Sequence, residues 1–479
     1  MHKPFAVAAL LAASCGAQAA SDADLAAIRA QIDDMKKTYE QRIASLEKKL
    51  AEAEAQGKSA PRAAPAVAAP VAAQAAAPVV ASTASGASAT RASGFNPEVS
   101  LILQGQYKNM KNVAERGITG FVPAAGHDHG NGIEGISKRG FSLNHTELIL
   151  GANIDPYWRG QAILAMLDGE VEVEEAWFQS LGIGAGVGLR GGRFRSGIGY
   201  LNEQHPHMWD FADAPLMYRA MFGDHASFIQ DGVQLKWVAP TPFFLEFGAE
   251  AGRGHTFPGS DLNKNGSGAA AMFAHLGSDV GISNSWRAGV SYLQTKAKER
   301  EAHFSDVDGV EAQGAFSGNS TTAIADFVWK WAPNGNPKYR NFKFQTEYFQ
   351  RLEKGDMTCK YEDTTAGGTA CAADPTDRYR TRQSGWYAQG VYQFTPNWRA
   401  GLRYEQLDSG TRDFGANNSN LVIDSYKPKK ATAMVDYRWS EFSRVRLQFA
   451  QDKSMSGITD NQVTLQYIMS LGAHGAHKF

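Results

Sequence analysis

The chain of 479 residues lacks a surplus of charge of either sign, because 48 lysines and arginines balance 49 aspartates and glutamates. A balanced charge creates no basic field, so nucleic-acid binding is not expected. Only three cysteines occur, whereas there are 49 glycines, and 11% of the residues are aromatic. This composition points away from a cytosolic helical enzyme and towards a β protein rich in glycine and aromatic residues.

Long hydrophobic runs and catalytic motifs are also missing. The longest candidate for a membrane helix, residues 63–81, is rich in alanine but is interrupted by Pro65, Pro70 and Pro78. There is no Gly-x-Ser-x-Gly, no zinc-protease helix motif, no phosphate-binding Gly-Lys-Ser/Thr loop and no dinucleotide fingerprint. We therefore expect a protein that is not an enzyme and has no resident cofactor.

The N-terminal part of the chain divides into three zones. Residues 1–19 have a basic start, a short apolar run and small residues at the end, which predicts a secretory signal peptide. Lipid attachment at Cys15 is an alternative interpretation. Residues 20–53 carry apolar residues at heptad spacing, which predicts a coiled coil, or else a helix lying on a partner. Residues 54–95 are rich in alanine and proline and predict a linker.

From residue 96 to residue 479 the hydrophobic pattern has a period of two. Val463, Leu465 and Tyr467, for example, alternate with Thr464 and Gln466, as expected of a strand with one apolar and one polar face. Sixteen such strands can be drawn. Every second connection is a tight turn, and the others are mostly long and polar, including 109–138, 196–224, 298–319, 352–381 and 409–426.

This alternation of short and long connections is typical of an outer-membrane barrel. Tryptophans lie beside the short turns, as in an aromatic girdle at a membrane interface: Trp158, Trp177, Trp237, Trp286, Trp331, Trp398 and Trp439. We therefore predict an all-β fold, a 16-stranded antiparallel transmembrane β-barrel with an N-terminal periplasmic coiled-coil helix. The barrel would lie in the outer membrane of a Gram-negative cell.

Cys359 and Cys371 lie in a polar segment of this barrel. In an oxidising compartment they are expected to form a disulfide. Two free or metal-binding thiols are the alternative.

Residues 95–107, 141–223 and the closing strand resemble the phosphate-selective porin (porin O/P-like) superfamily, in particular its coiled-coil-bearing branch. The resemblance implies a trimeric porin with sixteen strands, whose third extracellular loop folds inward and narrows the pore. In this chain that loop is 196–224. The expected constriction residues are Glu203, His205, His207, Asp210, Asp213 and Arg219. Because acidic residues prevail in the loop, phosphate specificity is not carried over from the family.

Charged residues at alternate strand positions are expected on the pore wall: Glu172, Glu174, Arg193, Arg195, Arg399, Arg403, Arg444 and Arg446. A turn near Gly184 would place Glu172 and Glu174 opposite Arg195 and Arg193. These charges would create a transverse field, or would serve only as salt bridges that stiffen the wall.

Two histidine pairs suggest a metal. Imidazole and carboxylate groups suit zinc or copper, and His205 and His207 follow Glu203, whereas His127 and His129 flank an aspartate. Zinc is therefore the one exception to the expectation that the protein has no cofactor. The alternative is that aromatic residues make loop 196–224 a rigid apolar plug, with the histidines as ordinary hydrogen-bond donors.

The sequence thus predicts a passive diffusion channel for small hydrophilic solutes or ions, assembled as a homotrimer in outer-membrane lipid. Two other functions remain open: an outer-membrane protein for zinc uptake, and a structural tether whose coiled coil contacts the cell wall.

Overall fold

The computed structural model describes residues 97–113, 116–121, 139–143, 145–167, 170–223, 225–361, 368–422 and 425–472. The predicted signal peptide, coiled coil and linker lie outside these residues, as do His127 and His129. Within the described part of the chain, none of the helices has the length and apolar character needed to cross a bilayer.

Seventeen strand segments form one sheet. They are β1 (Glu98–Asn109), β2 (Gly140–Leu143), β3 (Thr146–Asn153), β4 (Trp158–Leu167), β5 (Glu170–Ser180), β6 (Val187–Arg195), β7 (Ile229–Val238), β8 (Phe244–Gly252), β9 (Ala269–Val280), β10 (Asn284–Ser305), β11 (Glu311–Trp331), β12 (Asn341–Lys360), β13 (Thr376–Gln393), β14 (Trp398–Asp413), β15 (Lys429–Ser440), β16 (Ser443–Lys453) and β17 (Asp460–Gly472). A short helix, α1 (Leu216–Phe222), lies between β6 and β7.

The sheet is antiparallel and closes on itself. From β3 to β17 each strand pairs with the next, and β1 pairs with β17 on one side and with β2 and β3 on the other. Because β2 and β3 occupy one position beside β1, the barrel has sixteen strand positions. This confirms the predicted 16-stranded antiparallel β-barrel. Because the sheet closes, each of the sixteen strand positions has a neighbour on both sides.

The barrel carries its apolar side chains outside and its polar side chains inside. On β17 the apolar residues Val463, Leu465, Tyr467, Met469 and Leu471 are exposed, and the polar residues Gln462, Thr464 and Gln466 at the alternate positions are buried. A soluble β protein shows the opposite arrangement, because its apolar face packs on a core. An exterior of this kind is suited to lipid.

Five strands are longer than the sequence predicted. The structure extends β10 to β14 into the connections expected at 298–319, 352–381 and 409–426. Paired strands continue there because a second hydrophobic cluster supports them: Ala297, Ala302, Phe304, Ala312, Phe316, Met357, Cys359, Cys371, Tyr379, Phe414 and Leu421. We call this set the loop-end cluster. Cys359 and Cys371 form a disulfide within it, with their Cα atoms 5.2 Å apart.

Candidate functional site

The connection between β6 and β7, residues 196–228, lies inside the barrel; residue 224 is outside the described part. We call it the inner segment. Its apolar side chains pack on inward-facing residues of the wall in one hydrophobic cluster, in which Met217, Tyr218 and Phe222 of α1 join Phe349 and Tyr387. The rings of Tyr218 and Phe349 meet edge to face at 5.0 Å. This packing resembles the alternative interpretation of the sequence, in which aromatic residues make the loop a rigid apolar plug.

Polar contacts also hold the inner segment to the wall. The hydroxyl group of Tyr218 donates to Glu347 at 2.9 Å, and the backbone N–H of Ala212 donates to Gln448 at 2.8 Å. The backbone N–H of Leu216 donates to Glu405. These wall residues belong to strands β12, β14 and β16, so the segment is anchored across a wide part of the barrel interior.

The acidic residues of the inner segment are paired with wall cations. Asp210 contacts Lys343 and, at 3.1 Å, Arg399. Glu203 accepts from Lys236 at 2.7 Å. Burial alone would raise the pKa of Asp210, but the two cations outweigh it and hold this pKa well below its usual range.

Asp213 is enclosed in the same way. It contacts Lys430, accepts a bond of 2.7 Å from Arg403, and accepts a bond of 3.0 Å from Gln448. Burial would raise the pKa of Asp213, yet Lys430 and Arg403 keep it well below its usual range. The sequence predicts an acidic constriction at these residues, and for that reason phosphate specificity is not expected. In the structure each one is neutralised by the wall.

Four of the six arginines predicted for the wall contact the inner segment. Besides Arg399 and Arg403, Arg444 donates to the backbone oxygen of His207 at 2.8 Å, and Arg446 donates to that of Trp209 at 2.9 Å. Asp436 accepts from Arg446 at 2.7 Å. The structure places Arg219 on α1, half-buried.

The predicted register of β5 and β6 is wrong by two residues. Arg193 lies opposite Ala176 and pairs with Asp231 on β7 at 2.7 Å, whereas Arg195 contacts Glu174. Glu172 has no arginine opposite and lies 3.9 Å from the half-exposed His225. β5 ends at Ser180 and β6 begins at Val187, and the pairing is centred after Gly184 rather than before it.

A β-bulge in β5 changes which side chains face inward. Ile163 pairs with Glu175 and Leu164 with Val173, so Glu174 is an extra residue. As a result Glu174 and Glu175 are both buried. Trp177, which was expected in the outer girdle, lies on the inner face after this bulge and donates to Glu175 at 2.9 Å.

Three histidines contact buried carboxylates near this bulge, those of Glu147 on β3 and Glu174 on β5. His145 Nε2 lies 3.0 Å from Glu147 and 3.3 Å from Glu174. His205 Nδ1 lies 3.1 Å from Glu174, and His207 Nδ1 lies 3.0 Å from Glu147. The ligand atoms of His145, Glu147, Glu174 and His205 all lie within 4.8 Å of one another. We call these four residues the His–Glu cluster.

Each of the two loop histidines has a shifted pKa. Burial lowers the pKa of His207 despite the nearby Glu147. Burial also acts to lower the pKa of His205, but Glu147 and Glu175 outweigh it and raise this pKa. The difference arises because His205 faces more carboxylate groups than His207 does.

Sequence reasoning singled out Glu174, His205 and His207 but missed His145 and Glu147. A signal was present, because His145 and Glu147 are separated by one residue at the start of an apolar strand and therefore share one face. The wall partner Lys430, which was also missed, carried a similar signal as a charged residue at an alternating strand position.

A cavity of about 2100 Å³ extends from the inner segment to the short-turn end of the barrel, where Pro240, Pro337 and Ser440 line it. We call it the vestibule. Its lining includes eleven basic residues: Arg159, Arg190, Arg195, Lys236, Arg287, Lys330, Lys338, Lys343, Arg399, Arg438 and Arg444. It includes six acidic ones: Glu98, Glu175, Glu203, Asp210, Glu246 and Glu441. The vestibule therefore has a positive surplus.

The chain matches no family model. Among solved structures, its fold is similar to a loop L8 deletion mutant of OmpT from Vibrio cholerae (TM-score 0.47, 10% identity, 78% of this chain and 99% of that one). It is also similar to the outer membrane channel DcaP of Acinetobacter baumannii (0.43, 12%, 78% and 97%) and to an anion-selective porin from Comamonas acidovorans (0.45, 11%, 78% and 99%). Similarities at this level carry no argument about the chain.

A sequence match carries more weight. The chain is 31% identical over 411 residues to an uncharacterized protein of Aquifex aeolicus (strain VF5), and the match covers 80% of each protein. The chain therefore belongs to the same family as this Aquifex aeolicus protein.

Proposed function

We propose that the chain forms an outer-membrane channel for small hydrophilic solutes or ions, narrowed by the inner segment. The observation that supports this most is the closed barrel with apolar side chains outside and polar side chains inside. A closed barrel satisfies all strand hydrogen bonds internally, which lipid requires. The polar vestibule provides a path for solutes over part of the lumen.

The charge of the vestibule favours anions in this proposal. Its basic residues exceed its acidic residues, and the carboxylates of Glu203 and Asp210 are already paired with wall cations. A wall with one prevailing sign of charge raises the local concentration of the opposite ion. This departs from the expectation of an acidic constriction in the inner segment.

The test is single-channel conductance of the folded protein in a planar bilayer under a KCl gradient. We expect ohmic steps and a reversal potential displaced towards that of chloride. Replacing residues 200–222 by a short Gly/Ser linker should raise the conductance if the segment narrows the lumen. Folded protein that inserts but gives no conductance steps would overturn the channel.

The same proposal includes assembly as a homotrimer, a passive mechanism without catalysis, and membership of the porin O/P-like superfamily. Deletion of residues 22–95 separates a channel from an envelope tether. A channel should still conduct after this deletion, whereas a tether should lose its envelope phenotype. The mass of the detergent-solubilised full chain, corrected for bound detergent, tests for three copies.

A further inference from the structure

The His–Glu cluster joins three separate parts of the barrel. His145 precedes β3 directly, Glu147 lies on β3, Glu174 lies at the bulge of β5, and His205 belongs to the inner segment. Ala165 of β4 is paired with Glu147 of β3 and is buried, and β4 lies between β3 and β5. Its small side chain leaves room for the carboxylates to converge above it.

The distances within the cluster fit a tetrahedral metal site. Zinc binds nitrogen and oxygen ligands at about 2.0–2.2 Å, which sets neighbouring ligand atoms about 3.3 Å apart. His145 Nε2 lies 3.0 Å from Glu147 and 3.3 Å from Glu174. His205 Nδ1 lies 3.4 Å from Glu147 and 3.1 Å from Glu174. The three distances to Glu147 Oε2 and Glu174 Oε2 run from 3.1 to 3.4 Å and bracket the expected value, whereas the 3.0 Å contact of His145 is to Glu147 Oε1.

A second observation points to a ligand between these residues. Glu147 Oε2 and Glu174 Oε2 are buried, and the imidazole nitrogens that lie 3.1–3.4 Å from them do not approach in hydrogen-bond geometry. A buried carboxylate oxygen without a hydrogen bond is costly. A bound cation would satisfy both oxygens at once.

The charge balance favours a divalent ion. Glu147, Glu174 and Glu175 supply three negative charges, and Arg195, which contacts Glu174, supplies one positive charge. With neutral imidazoles the net charge is about −2. Two nitrogen and two carboxylate ligands suit first-row transition metals rather than calcium or magnesium, which prefer oxygen ligands alone.

We propose that His145, Glu147, Glu174 and His205 bind one divalent transition-metal ion of the zinc class, which fastens the inner segment to strands β3 and β5. His207 donates its Nδ1–H to Glu147 at 3.0 Å and orients that carboxylate from outside the ligand set. This site does not depend on whether the barrel conducts.

The test measures zinc binding to the full chain, folded in detergent and first stripped with a chelator. Isothermal titration and elemental analysis should give one zinc per chain. Since loss of an outer partner alone weakens metal affinity about 10- to 100-fold, Glu147→Gln and His205→Ala should each weaken it at least tenfold. Cobalt in place of zinc should give the visible absorption bands of a tetrahedral ion.

Two matched controls identify the site. His275→Ala removes another buried histidine, which lies 3.0 Å from Glu246, and should leave zinc affinity unchanged. His127→Ala with His129→Ala should also leave it unchanged. The shift of the folded barrel on unheated gels shows that each variant is folded, and Glu147→Gln retains the size of the side chain.

Absence of zinc binding at micromolar concentration would overturn the proposal. Binding that survives Glu147→Gln and His205→Ala but is lost in the variant of His127 and His129 would overturn it as well, because it would locate the metal elsewhere.

Discussion

The carboxylate of Asp213 lies between two buried cations of the wall, Lys430 and Arg403. Removing one member of a buried ion pair leaves the other charge uncompensated, at a cost of about 3–5 kcal/mol. We expect Asp213→Ala to lower the free energy of unfolding of the barrel by this amount, measured by urea unfolding in detergent. Asp261→Ala removes an exposed pair with Arg253 and should leave the transition unchanged. Equal losses for both variants would contradict this account.

Asp210 gives a prediction about pH. Its pKa is held below the usual range by Lys343 and Arg399. A depressed carboxylate pKa contributes stability that is complete above the unfolded-state pKa, about 3.9, and is lost as the pH falls towards the folded-state value. The stability difference between the native chain and Asp210→Asn should therefore stay constant from pH 8 to pH 5 and shrink below about pH 4. Urea unfolding across this range measures it, and a decline already at pH 6 would exclude this cause.

Single residues also mark how far the sequence could predict the site. Alternation correctly identified Arg399, Arg403, Arg444 and Arg446 as inward-facing wall residues. It could not show which acidic residue each one meets, because those contacts join residues far apart in the chain. The pairing of Arg193 failed for a local reason, since a turn of unknown length sets the register of a hairpin.

At the scale of elements, the sequence predicted strands well within the barrel and poorly beyond it. A strand that faces lipid on one side and a polar lumen on the other has a clear period of two. The outer parts of β10 to β14 face the loop-end cluster instead, and their sequence reads as polar loop. Tertiary packing supports strand structure there that local pattern does not indicate.

The disulfide of the loop-end cluster leads to a prediction at this scale. Cys359 is on β12, and Cys371 lies twelve positions later in the connection to β13. A closed loop of this size stabilises a fold by about 2–4 kcal/mol through the unfolded chain. Replacing both cysteines by serine should therefore increase hydrogen exchange in the outer ends of β12 and β13 and leave the middle of these strands protected. Mass spectrometry of the peptides measures this, with the native chain under reducing conditions as a matched comparison. Loss of protection along the entire strands would show that the cluster and the barrel unfold together.

The bulge of β5 is the element that sequence reasoning could not foresee. One extra residue turns Glu174 and Glu175 inward together and moves Trp177 from the outer to the inner face. Without it, the strict alternation of β5 would separate the two carboxylates. The His–Glu cluster therefore depends on an irregularity of the backbone, which is common beside functional sites.

At the scale of the whole molecule, the placement of apolar side chains on the exterior tests whether the barrel lies in a membrane. Leu465 is exposed in the middle of β17, and Val422 is similarly exposed in the connection before β15. An arginine on a lipid-facing barrel surface costs about 2–4 kcal/mol near the bilayer midplane. In lipid vesicles we expect Leu465→Arg to lower the free energy of unfolding by this amount and Val422→Arg to change it by less than about 0.5 kcal/mol. If water surrounds the entire barrel, the two variants should change the free energy of unfolding equally little. In that case Leu465 is exposed to water, and replacing it by arginine moves no charge into an apolar environment. A difference confined to Leu465→Arg would therefore place β17 in lipid, independently of any conductance measurement.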